Sequence, residues 1–134
     1  MVPEDEKRLQ REFYLAFWKG HILHHAAEGP VVGQWMLNEL RRHGYDVSPG
    51  TLYPILHRME EYGWLRRESD PAGGSKSRQS FFITNQGREV LATLSEQIKE
   101  LHHEVINGAR ALASAEDPPF RMDENATPTP ERIV

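Results

Sequence analysis

The 134-residue chain contains no cysteine, which removes disulfides, thiolate metal sites and thiol nucleophiles together and fits a reducing compartment. It also lacks any apolar run long enough to span a bilayer, and its N-terminus, "MVPEDEKRLQRE", carries charges of both signs, unlike a secretory signal. The expectation is a cytoplasmic protein without membrane contact. An excess of positive charge is missing as well: the formal net charge is −4, which argues against phosphate binding by the chain as a whole. No Ser/His/Asp arrangement, paired carboxylates or phosphate-cradling glycine motif stands out, so an enzyme is not expected, and neither is a cofactor. At 38% hydrophobic residues the chain can build one core and little more.

What charge there is lies unevenly. Residues 41–80 hold seven basic side chains against five acidic, whereas residues 116–134 hold five acidic against two basic. A basic middle permits nucleic-acid binding there in spite of the acidic total.

Periodicity and breakers divide the chain. Residues 4–28 read as a long first helix ending before Gly29-Pro30. Leu9, Phe13, Phe17, Gly20 and His24 share one face of it, and Leu15, Trp18, Ile22 and Ala26 form a second apolar stripe, so two packing partners are expected. A shorter helix fits 32–43, with Trp35, Met36, Leu37 and Leu40 as its apolar positions and Gly44 as its stop. A third starts with Ser48 as N-cap and Pro49 as first helical residue. In it Leu52, Ile55, Leu56 and Met59 repeat at i, i+3, i+4 and i+7 and must face the core. Two runs of strand character, 64–69 and 78–84, flank the loop "DPAGGSKS" and read as a hairpin. Thr84 or Asn85 then caps a last helix in which Leu91, Leu94, Ile98, Leu101, Val105, Gly108 and Leu112 alternate in steps of three and four, the seam of a helix that packs along another helix. The expected organisation is a DNA-binding domain at 4–84 with its N-terminal helix at 4–28, a dimerisation helix at 85–113, and an acidic, proline-containing, flexible tail at 114–134.

Three helices, a hairpin and a long helix are the order of a winged helix-turn-helix domain with dimerisation helices at both ends: mainly α with a small β-hairpin. In that architecture the third helix enters the major groove and the wing lies along phosphates. This explains a proline, Pro54, inside the third helix. It falls on the face opposite the core, where the carbonyl it leaves unbonded meets solvent or DNA. On the same face Gly50 removes side-chain bulk, and first-turn N–H groups with the Ser48 and Thr51 hydroxyls can donate to a phosphate.

Three stretches carry a family resemblance. They are "EGPVVGQWMLNEL" (28–40), "VSPGTLYPILHRMEEYGWL" (47–65) and "SRQSFFITNQGREVL" (77–91), and together they resemble the PadR family of bacterial transcriptional regulators over about 10–112. The resemblance implies a homodimer on a pseudo-palindromic double-stranded operator, usually as a repressor. Its DNA contacts would come from Ser48, Gly50, Thr51, Tyr53 and Pro54, then His57 and Arg58, with Arg78 and Lys76 on the wing. The chain departs from the family pattern in having Trp35 in place of tyrosine, Gln79 in place of lysine, and Ser80-Phe81 in place of a tyrosine pair. Leu91, Leu94, Ile98, Leu101, Val105 and Leu112 would form the subunit interface. Phe13, Tyr14, Phe17 and Trp18 are candidates to line a pocket for a small aromatic effector, although core packing is the more common reason for such residues.

Two other readings stand beside this one. His21 and His25, at i, i+4, with His102 on the last helix, are candidate metal ligands for a metal-responsive regulator. A winged-helix adaptor acting through protein contacts would also fit the acidic total, but would leave the combination of Gly50, Thr51, Tyr53 and Arg58 without a reason.

Overall fold

A computed structural model describes residues 1–69 and 78–114. The helices are α1 (Pro3–Leu9), α2 (Leu15–Glu28), α3 (Gly33–Arg42), α4 (Pro49–Glu61), α5 (Asn85–His102) and α6 (Gly108–Ser114); the strands are β1 (Val31–Val32), β2 (Leu65–Ser69) and β3 (Gln79–Ile83). Glycines at 44 and 63 have φ of 94° and 80°, a left-handed backbone that other residues rarely adopt; Gly44 stops α3 where the sequence predicts, and Gly63 follows the end of α4.

The first helical segment is continuous but not uniform. Gln10–Tyr14 is a π-helical stretch, in which the Leu15 N–H bonds back to the Gln10 carbonyl. A wider turn at this point rotates α1 about the helix axis relative to α2. In α2 the stripe of Trp18, Ile22 and Ala26 is buried, with Leu23 beside it, whereas Phe13 and Phe17 on the other stripe remain about half exposed. The last helical segment is interrupted in the same way by a π stretch at His103–Asn107.

The core is built mainly from α2, α3 and α4: Met36, Leu37 and Leu40 of α3 meet Leu52, Ile55, Leu56 and Met59 of α4, all at most 1% exposed. Trp35, expected among the apolar positions of α3, is instead 49% exposed, because at about 100° per residue it falls on the side of the helix opposite Gly33, Met36, Leu37 and Leu40. The expected two-stranded hairpin proves to be the larger part of a three-stranded antiparallel sheet in the order β1-β3-β2. Val31 pairs with Phe81 and Val32 with Ser80, so a two-residue strand just after Gly29-Pro30 ties the root of the wing to the start of α3. β2 and β3 pair from Leu65↔Ile83 to Ser69↔Gln79.

The cap of α5 is Thr84, whose hydroxyl accepts the Gly87 N–H at 2.9 Å and donates to the Gly63 carbonyl at 2.5 Å. A methyl group on Gly87 would lie 2.2 Å from the Trp64 carbonyl oxygen, so only glycine lets α5 leave the wing this closely. Val90 and Leu91 then pack on the core, and Leu94 stands over Gly20 of α2.

The chain divides into two compact units, the first Met1–Glu96 and the second beginning at Gln97. In the second, Ile98, Leu101, Val105 and Leu112 are each 53–58% exposed. The expectations for the wing tip, Lys76 included, and for the tail beyond 114 lie outside the described residues. Among the described residues, no helix is long and apolar enough to cross a membrane.

Candidate nucleic-acid interface

The exposed face of α4 starts at an N-terminus with an unusual cap. Ser48 has the extended backbone of an N-cap (φ −99°, ψ 158°) and its carbonyl accepts the Thr51 and Leu52 N–H groups, but its hydroxyl makes no bond to the helix backbone. That hydroxyl lies 3.2 Å from the Thr51 hydroxyl instead. The expected capping interaction is therefore replaced by a pair of outward hydroxyls. Gly50, one residue into the helix, is exposed, and a methyl group there would meet only the Ser48 Oγ, at 3.8 Å. Packing within the chain does not demand a glycine at this position. Pro54 is exposed on the same face, as the sequence predicts, and Arg58 comes one turn later, also exposed.

Tyr53 and His57 are placed differently from a simple outward pair. A methyl group on Gly33 would come within 2.5 Å of the Tyr53 ring, so the ring lies over the first residue of α3 and leaves 38% of the residue accessible. His57 is half-buried with its ring edge-on to Phe81 of β3, centroids 6.3 Å apart. Tyr53 thus couples α4 to α3, and His57 couples α4 to the wing.

The wing adds contacts that spacing in the sequence does not reveal. Arg67 of β2 forms an ion pair with Glu60 of α4 at 3.0 Å and reaches Gln79 across the strand pair at 3.4 Å. Arg66 lies 4.6 Å over the Phe82 ring and pairs with Glu68. Two of the basic wing residues therefore have partners inside the chain. Arg78 is exposed at the start of β3, and lines a cleft of about 640 Å³ with Trp35, Gln34, Asn38 and the Gly29-Pro30 turn. The loop entering α4 is held by Arg41, whose Nε donates to the Val47 carbonyl at 3.1 Å.

A helix-turn-helix pair, α3 and α4, is thus backed by a core and flanked by a sheet, with a small, polar, outward N-terminal face on the second helix. A model of the PadR-like family of transcriptional regulators matches residues 22–93, which run from α2 into α5 and include every one of these elements. The chain belongs to the PadR-like family. It is 47% identical over 98 residues to the transcriptional regulator Rv3488 of Mycobacterium tuberculosis, an alignment covering 73% of this chain and 91% of that protein. Among solved structures, a PadR family regulator from Eggerthella lenta is 28% identical with a TM-score of 0.60, over 84% of this chain and 91% of that one. A PadR-like transcription factor from Bacteroides fragilis, at 22% identity, shares the fold with a TM-score of 0.64, over 75% of this chain and 97% of that one. As a PadR-family protein the chain is a DNA-binding transcriptional regulator with a winged helix, and the family is one of regulators rather than enzymes.

The other sites expected from the sequence are regrouped by the fold. Phe13, Tyr14, Phe17 and Trp18 differ in exposure. Phe13 and Phe17 are exposed, Trp18 is 1% exposed in the core, and Tyr14 packs edge-on against Tyr45 with centroids 5.5 Å apart. Tyr14 and Trp18 do line a cleft of about 560 Å³, but with Tyr45, His43 and Gln10. Helical spacing alone puts all four on one helix, and the loop that supplies Tyr45 is distant in sequence. Of the candidate metal ligands, His21 and His25 come together, and the third imidazole beside them is His43 at the end of α3, a residue that helical spacing does not point to. His102 lies at the exposed end of α5.

Proposed function

We propose that the chain represses transcription as a homodimer on a pseudo-palindromic operator. The observation that carries this is the outward N-terminal face of α4: Ser48, Gly50, Pro54 and Arg58 are exposed together with Thr51 partly accessible among them, and packing within the chain does not demand the glycine at 50. Bulk-free helix termini with accessible hydroxyls suit a close approach to phosphates and base edges. Arg78, with Lys76 beyond the described residues, supplies phosphate contacts from the wing.

The dimer reading is supported by the second unit, where Ile98, Leu101, Val105 and Leu112 form an accessible apolar stripe at heptad-like spacing that suits a matching helix. Two copies would present their α4 helices to successive major grooves about one turn, ~34 Å, apart. A small aromatic effector would release the DNA by entering the cleft lined by Tyr14, Trp18 and Tyr45, which joins the first helical segment to the loop before α4.

The test is fluorescence anisotropy with the upstream DNA of the protein's own gene and with a scrambled duplex, over a range of salt. The reading predicts a preference for one duplex that survives salt and is lost in Arg58→Ala. Equal, weak and steeply salt-dependent binding to both duplexes speaks against this operator, and an absence of binding at low salt overturns the reading.

A further inference from the structure

We propose that His21, His25 and His43 form a binding site for a divalent transition-metal ion of the zinc, nickel or copper group, clamping α2 to the end of α3. The two α2 histidines are one helical turn apart with nearly parallel rings, 12° between planes and centroids 6.3 Å apart. His43 comes directly after the last residue of α3 and is turned back by Gly44, which brings its ring within 4.7 Å of the His21 ring, centroid to centroid. One ligating nitrogen from each residue lies within 4.8 Å of the other two. A tetrahedral zinc ion with Zn–N bonds of about 2.0–2.1 Å holds its nitrogens about 3.3 Å apart. Rotation of the imidazoles, of which the His43 side chain is 37% exposed, closes the difference.

The surroundings fit a cation. Glu39, whose side chain is 11% exposed, places Oε1 3.2 Å from His43 Nε2 and 3.7 Å from His25 Nε2. It is held there by Arg42, which donates from Nη2 at 2.5 Å and from Nε at 3.1 Å. A carboxylate fixed beside ligating imidazoles orients the rings and strengthens them as donors. An all-imidazole donor set without thiolate suits zinc, nickel and copper rather than magnesium or calcium. A second grouping, His24, His25 and Glu28, shares His25, but its His24 and Glu28 side chains are 60% and 62% exposed and already bond each other at 2.6 Å. The enclosed cluster is the better site. Its position also matters: the clamp would join α2 to α3, the helix that precedes the loop into α4, whether or not α4 reads DNA as proposed.

Calorimetric titration of zinc chloride into full-length, tag-free, EDTA-stripped protein tests the site without involving DNA. The expected result is one ion per chain, with affinity lowered at least about tenfold in His43→Ala and about 10–100-fold in Glu39→Gln. His24→Ala and His102→Ala should titrate like the wild type. His21→Ala should also lose affinity; if its partly buried site prevents folding, as judged by circular dichroism, His43→Ala at the exposed edge carries the result. Absence of saturable binding, or wild-type affinity in folded His43→Ala, overturns the proposal. So does loss of binding in His24→Ala with retention in His43→Ala, which would assign the ion to the exposed grouping.

Discussion

A methyl group at residue 50 would meet nothing closer than the Ser48 hydroxyl at 3.8 Å, so Gly50→Ala separates folding from function at one atom. Stability should change by less than about 1 kcal/mol, in either direction, because alanine is the better helix former and has room. DNA affinity should fall, since the added carbon occupies the approach between helix and phosphate; anisotropy and thermal melts on the same preparation read the two effects. Arg58→Ala makes the complementary test: the exposed side chain can be removed without loss of dimer by light scattering, yet binding should weaken by about 1–3 kcal/mol if it reaches a base. The histidines give a residue-scale pH effect. His21 and His25 are held below the ordinary value, so the unfolded chain takes up protons first as pH falls. Their contribution is complete above about pH 6.5 and is lost as pH drops through the lowered folded values. Glu39, brought down to about 2 by its hydrogen bond from Arg42, stays ionised through this window and does not contribute to the change. The metal-free protein should therefore melt at a lower temperature at about pH 5.5 than at about pH 7.5, and the difference should shrink in His21→Gln.

Elements are legible from the sequence to the degree that their signals are local. The i, i+3, i+4, i+7 spacing of Leu52, Ile55, Leu56 and Met59 identifies the buried face of α4, since helical geometry alone puts those positions together. Gly44 and Gly63 mark helix ends for a reason equally local, the left-handed backbone. β1 cannot be found this way: two valines after Gly29-Pro30 have no period, and they become a strand only because β3 offers its free edge. The same holds for the Tyr53 ring over Gly33, the Arg67–Glu60 ion pair and His43 beside His21, each of which depends on two elements meeting. Two glycines at such meetings lead to a prediction. Gly87→Ala sets a methyl group against the Trp64 carbonyl oxygen and should destabilise the protein by about 1–3 kcal/mol in urea melts. Gly33→Ala meets a side chain instead, so the Tyr53 ring can swing away; its main cost should appear in DNA affinity rather than in melting temperature.

At the scale of the whole molecule, an acidic protein with a net charge of −4 is assigned to polyanionic DNA, and the resolution lies in where the charge sits. Residues 41–80 carry a small basic excess and contain the α4 face, so the proposed interface rests on local rather than total charge. The apolar stripe of Ile98, Leu101, Val105 and Leu112 is the other molecular-scale feature. Leu101→Asp should convert the proposed dimer to monomer by light scattering while the circular dichroism of the folded chain persists; an unchanged dimer would assign the interface elsewhere. Both features meet in the central claim, that two copies read an inverted repeat through α4. Selection of binding sites from a random pool of duplexes tests it most directly, because it assumes nothing about which gene is regulated. The account predicts enrichment of a pseudo-palindrome whose half-sites are about one helical turn, ~34 Å, apart, and its disappearance with Arg58→Ala. A pool that yields no motif, or one in which Arg58→Ala enriches the same repeat as the wild type, would contradict it.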